Sequence, residues 1–258
     1  MKSLLAFSLL LAGAAHGAAP ACSAKSTPHT TALVELYTSE GCDSCPAADR
    51  WLSSLLAQGF GPERVVPLAL HVDYWDYIGW KDPFARDKFT ARQYRLAKLR
   101  RPAIVYTPQV ILQGQDFRGW RSGAFATEVA RINSRPARAR IALAIRAVEP
   151  KAIHAELMAE LLDPAERRNA VVYLAAYENM LASEVKAGEN RGKRLEHDYV
   201  VREWIGPIAF AEGSKIEEKR ALPLLAGAKA KHLGIAAFVQ NRSNSEVLQA
   251  LMLPACSG

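Results

Sequence analysis

The segment Leu33-Val34-Glu35-Leu36-Tyr37-Thr38-Ser39-Glu40-Gly41-Cys42-Asp43-Ser44-Cys45-Pro46 constrains the chain more than any other. A short apolar and aromatic run of the kind that forms a strand passes through a polar turn into a Cys-x-x-Cys pair, and a helical pattern begins at once. Ala48, Trp51, Leu52, Leu55 and Leu56 recur at steps of three and four, and Gly59 follows as the stop. This order puts the first cysteine at the amino end of a helix, where unpaired backbone N–H groups and aligned peptide dipoles favour an anion. In such settings a thiol pKa of about 8.5 falls to roughly 3.5–7.5, which makes thiolate available at neutral pH. Glu40 and Asp43 oppose that shift by their charge. Cys42 is then the sulfur exchanged first, and Cys45, one turn further in, resolves the mixed disulfide. The plainer readings are half of a metal site or a stapling disulfide. With His71 added, Cys42 and Cys45 form a soft donor set suited to copper(I).

Two further cysteines, Cys22 and Cys256, stand at opposite ends of the chain. They supply a zinc tetrahedron poorly, because such sites use closely spaced pairs. A structural disulfide between them is expected, since chain ends often lie close together, with two inert thiols as the alternative. Ahead of Cys22, Met1 and Lys2 give a basic start, Leu4 to Ala12 is apolar, and Gly13 to Ala21 is built mostly of small residues. That is the layout of a secretory signal peptide over residues 1–21, and it places the thiols in an oxidising, periplasmic or extracellular compartment. Lipidation at Cys22 fits less well, because Ala19-Pro20-Ala21 lacks the usual Leu. No stretch offers the roughly 20 apolar residues of a membrane-spanning helix, so stable membrane insertion is not expected. The formal charge of +7 bears on weak attraction to acidic partners and not on fold.

Beyond the first helix, Val65 to Val72 reads as a second strand, parallel to the first. His71, Asp73, Tyr74, Trp75, Asp76, Tyr77 and Trp80 gather at its carboxyl end, where open parallel sheets bind ligands. Tyr74, Trp75 and Trp80 are candidate substrate-binding faces, and His71 and Asp73 candidate proton partners. A histidine satisfied by a core hydrogen bond is the plainer reading of His71. Asp82-Pro83 reads as the start of a basic helix running to about Arg100, with Arg92 among its cations on a solvated face. No signature supports nucleic-acid binding.

The run Val34 to Cys45 resembles the strand and active-site loop of glutaredoxins and thioredoxin-like proteins. With His71 to Phe84, Tyr106 to Gln109 and Gly188 to Leu195, the chain is similar to a family of secreted bacterial thioredoxin-like proteins of unknown function. The resemblance implies a thioredoxin-like domain followed by a family-specific tail, and no settled substrate. It also implies a cis proline at Pro108, beside the dithiol, with Thr107 helping to line a substrate groove; an ordinary trans turn is the alternative. A helix around Ser122 to Asn133 would complete that domain.

Ser134-Arg135-Pro136 marks a boundary, after which Ile141, Leu143 and Ile145, and then Ile153 to Leu161, alternate as strands. Ala170 to Tyr177, Leu195 to Trp204, Leu233 to Gln240 and Glu246 to Leu253 add more. The expected architecture is therefore an α/β thioredoxin-like domain over residues 22–136 and an all-β sandwich-like domain over residues 137–258. His154, His197 and His232 are scattered in the second region and suggest no site. The expected function is thiol–disulfide oxidoreduction by Cys42 and Cys45 with Pro108, acting on protein or small-molecule thiols and disulfides. It needs no cofactor or resident metal, and the chain is expected to be a monomer. A non-catalytic interaction protein with a static disulfide is the competing class.

Overall fold

The structure, a computed structural model, describes residues 22–100, 103–210, 213–224 and 227–256. The expected signal segment lies outside these residues. Fourteen strands and three α-helices are found among them. The strands are β1 (Cys22–Lys25), β2 (Ala32–Thr38), β3 (Val65–His71), β4 (Gln109–Leu112), β5 (Gln115–Asp116), β6 (Ala139–Glu149) and β7 (Ala152–Leu161). They continue with β8 (Ala170–Glu178), β9 (Leu181–Glu184), β10 (Arg194–His197), β11 (Val200–Ala209), β12 (Lys215–Pro223), β13 (Leu233–Asn241) and β14 (Val247–Pro254). The helices are α1 (Cys45–Ser54), α2 (Asp87–Lys98) and α3 (Ala124–Asn133).

Eight strands form one mixed sheet in the order β14-β13-β8-β11-β3-β2-β4-β5. β2 and β3 run parallel, and β11 joins β3 in parallel through Val200 opposite Ala69. The other pairings of the sheet are antiparallel. A four-stranded antiparallel sheet, β1-β6-β7-β12, packs its apolar face on the β8, β13 and β14 end of the long sheet. On that same face of the long sheet, at the β2–β4 end, lie α1 and α3, with Leu52, Leu55, Phe125 and Val129 set against Val34, Leu36 and Val110. The opposite face carries α2, where Phe89 and Leu96 meet Leu33, Leu68 and Leu70. Strands covered on both faces need apolar side chains throughout, and β2, β3, β8 and β13 are buried at every position.

The expected fold class, an α/β thioredoxin-like domain followed by an all-β sandwich-like domain, is overturned. The molecule is strand-dominated, and β8, β11, β13 and β14 extend the sheet begun by β2, β3 and β4 across the expected boundary at Pro136. The reason is that alternation along a strand fixes which side chains share a face but not which neighbour supplies the backbone hydrogen bonds. Local expectations shift as well. α2 begins at Asp87, not Pro83, because the Asp82 carboxylate accepts from the Phe84 backbone N–H in a turn of its own, at 2.9 Å. The run Leu195 to Trp204 breaks into β10 and β11 at Tyr199, whose φ is 57°. Arg92 of the basic helix is buried. Cys22 and Cys256 are joined by a disulfide.

Candidate functional site

β2 ends at Thr38, and Ser39 to Ser44 turn the chain into α1. Gly41 donates to Ser39 Oγ at 3.1 Å, and Cys42 N–H to the Ser39 carbonyl at 3.3 Å. Cys42 and Cys45 are bonded to each other. Cys45 is the first residue of α1 with Ser44 as its N-cap, so Cys42 stands just ahead of the helix and not within its first turn. Cys42 Sγ lies 3.4 Å from Ser44 Oγ.

Neither sulfur is open to solvent in this state: Cys42 is 1% exposed and Cys45 is fully buried. The tip of the β9–β10 hairpin is bonded to the dithiol loop. Asn190 Nδ2 donates to the carbonyls of Glu40 and Cys42 at 2.9 and 2.8 Å, and Glu189 Oε2 accepts from Asp43 N–H at 2.9 Å. Ile78 wedges between the two loops, so that a Cβ at Gly188 would come within 2.9 Å of its Cδ1 and one at Gly41 within 3.2 Å. Substitution at Gly188 would also meet a backbone φ of +74°.

The candidate groove residues divide. Pro108, reached through a cis Thr107–Pro108 peptide, precedes β4, whose Gln109 pairs with Tyr37 at the dithiol end of β2. Trp75 Nε1 donates to Thr107 Oγ1 at 2.7 Å, and its Cβ lies against Gly41, so Trp75 ties the proline turn to the dithiol loop. Trp80 Nε1 donates to Glu40 Oε2 at 2.8 Å. Tyr74 instead donates to Gln93 Oε1 on α2, and burial pushes its pKa up to about 12. Asp73 faces away from the dithiol toward α2, accepting from Thr90 Oγ1 at 2.6 Å.

Behind the dithiol lies a buried polar cluster. His71 Nδ1 meets Asp82 Oδ2 at 2.7 Å, and the same oxygen accepts from Glu40 N–H at 2.9 Å. His197, delivered by β10, sets Nε2 at 3.0 Å from Glu40 Oε1 and Nδ1 at 3.8 Å from Asp49 Oδ2. Asp49 projects from α1, four residues after Cys45, and Oδ2 accepts from Thr38 Oγ1 at 3.1 Å. The two imidazoles cross edge to face with ring centres 4.9 Å apart. Burial raises the Asp49 pKa above the ordinary carboxylate value. For Asp82 burial acts upward, but His71 and the N–H donors hold it below that value. For His71 burial acts downward, and the charges of Asp82, Asp49 and Glu40 outweigh it.

Sequence reasoning anticipated Cys42, Cys45 and Pro108 at one end of β2, and it missed Glu40 as a hydrogen-bond hub, Asp49, Asn190 and His197. Asn190 carried a signal, as part of the Gly188 to Leu195 landmark. His71 meets Asp49 and His197 as neighbouring donors, while the two sulfurs are bonded to each other.

Fold and site together define a strand-rich protein with a covered dithiol at the end of a mixed sheet. The chain belongs to the family described as protein of unknown function (DUF1223), whose model matches residues 33–240. It is similar to a crystal structure of a protein from Agrobacterium tumefaciens, with 25% identity, a TM-score of 0.64, and coverage of 90% of this chain and 98% of that one. It shares its fold with HBP35 of Porphyromonas gingivalis, at 15% identity and a TM-score of 0.63, covering 88% of this chain and 76% of that one. No curated protein matches the chain. Among the described residues no helix is long and apolar enough to cross a membrane.

Proposed function

We propose that the chain is an exported thiol–disulfide exchange protein working through Cys42 and Cys45. The observation that carries this reading is the pair itself, bonded across the amino end of α1, where the aligned peptide dipoles of the helix favour a thiolate once the bond is broken. Two disulfides formed from four cysteines fit an oxidising, exported setting. In the exchange, a partner thiolate attacks Cys42 Sγ, the Cys42–Cys45 bond breaks, and its electron pair leaves on Cys45. A second partner thiolate then displaces Cys42, so the partner becomes a disulfide and the protein gains two electrons and two protons. Reversal of the same steps reduces a partner disulfide. Trp75, Trp80, Thr107 and Pro108 would flank the bound thiol or disulfide, and the residues burying Cys42 have to move for it to enter.

A second reading, a static staple in an interaction protein, is favoured by the 1% exposure of Cys42. Alkylation trapping with mass spectrometry in graded glutathione buffers separates the two. For an exchange protein the Cys42–Cys45 pair cycles reversibly in folded protein while Cys22–Cys256 stays oxidised, and Cys42→Ser abolishes turnover of a model disulfide. A pair that resists reduction until the protein unfolds, or turnover unchanged in Cys42→Ser, would establish the staple.

A further inference from the structure

Three polar atoms in the cluster behind the dithiol have no hydrogen-bond partner: Asp49 Oδ1, His71 Nε2 and His197 Nδ1. All three belong to buried side chains, with Asp49 5%, His71 0% and His197 2% exposed. A buried polar atom left without a partner is costly, and three in one cluster point to a common partner.

We propose that Asp49, His71 and His197 form a binding site for a divalent first-row transition ion, with zinc as the fitting metal. One ligand atom from each of the three lies within 4.8 Å of the other two. An ion at about 2.0–2.2 Å from each ligand draws them together by a modest closure of side chains. The second layer is already in place. With Asp82 accepting from His71 Nδ1 and Glu40 from His197 Nε2, the unpartnered His71 Nε2 and His197 Nδ1 are the nitrogens left to bind an ion, the latter 3.8 Å from Asp49 Oδ2. Carboxylate–histidine pairs of this kind orient imidazoles toward metals and raise their basicity. Charge points the same way. Glu40, Asp49 and Asp82 lie buried together, and among the described residues their only basic partners within ion-pair distance are the two histidines. A doubly charged cation compensates three buried carboxylates without a lysine or arginine.

Two imidazoles and one carboxylate are intermediate donors, which suit zinc better than the hard ions Mg²⁺ and Ca²⁺ or the soft copper(I). Three protein ligands leave a fourth position for water. A cavity of about 150 Å³, lined in part by Pro46, Asp49, Arg50, Arg194 and His197, lies beside two of the three ligands.

The experiment uses the full exported chain, stripped with a chelator and titrated with zinc chloride. The expected result is one zinc per chain, a melting temperature that climbs with zinc, and loss of both effects in His197→Ala and Asp49→Asn. Asp82→Asn should weaken zinc binding by about 10- to 100-fold, and the Cys42→Ser, Cys45→Ser double variant should keep it. Substoichiometric uptake, unchanged uptake in His197→Ala, or loss of uptake in the cysteine double variant would each overturn the site. Should His197→Ala fail to fold, cobalt(II) bound to the natural chain decides the matter. Visible d–d bands without a sulfur-to-metal charge-transfer band support the proposal, and a sulfur band or no cobalt binding refutes it.

Discussion

The long sheet buries ionisable side chains on both of its faces, and the two groups are built on different terms. On the α2 face, Arg92 Nη2 donates to Glu35 Oε2 at 2.9 Å and to Gln240 Oε1 at 3.2 Å, Nε donates to Glu35 Oε1, and Tyr37 hydroxyl donates to the same oxygen at 3.2 Å. The guanidinium also lies 4.6–5.0 Å from the ring centres of Tyr173, Trp204 and Phe238. That cluster is closed, each charge meeting its opposite in a bidentate geometry that desolvated arginine favours. On the α1 face, three carboxylates share two histidines and leave three atoms without partners. A buried network with every member satisfied reads as architecture, whereas one with several unpartnered atoms reads as a place for a ligand.

The sharpest way to break this contrast is Arg92→Met. It leaves the Glu35 carboxylate in the core without a counter-charge and should cost about 3–5 kcal/mol in denaturant unfolding. A loss within experimental error would show that the α2 cluster is not closed. Adding Glu35→Gln to Arg92→Met removes the stranded charge, so the double variant should recover about 1–3 kcal/mol of that loss; strict additivity of the two single changes would argue that the residues do not act as a pair. The smallest effect is expected at Asp49→Asn in zinc-free protein, which keeps an acceptor for Thr38 and removes a poorly compensated charge. Its cost should be about 1 kcal/mol or less, and a loss rivalling that of Arg92→Met would mean that the α1 cluster is complete without a further ligand.

How much of this could be read beforehand depended on distance along the chain. The strand Ala32–Thr38, the dithiol and α1 are contiguous, and apolar periodicity was enough to place them, although α1 ends at Ser54, short of the expected stop at Gly59, and leaves Leu56 exposed outside it. Glu35 within a fully buried strand was itself a sign that a cation had to lie near, yet its partner is on a helix that reads as a basic solvated face. Charge counting along α2 could not reveal which of its cations turns inward, because Arg92 is selected by the aromatic residues Tyr173, Trp204 and Phe238 of three later strands. The same holds for His197, which looks isolated in sequence and meets His71 only because β11 adds to β3. Pairing between remote strands, and not local preference, decides both clusters, and it is also what makes one sheet out of two expected domains.

The hairpin of β9 and β10 has a role in both halves of the dithiol end. Its tip carries Asn190, which is bonded to the backbone of the dithiol loop, and its root delivers His197 into the core. One hairpin therefore holds both, and a change that unseats it would release the dithiol loop and the buried histidine together.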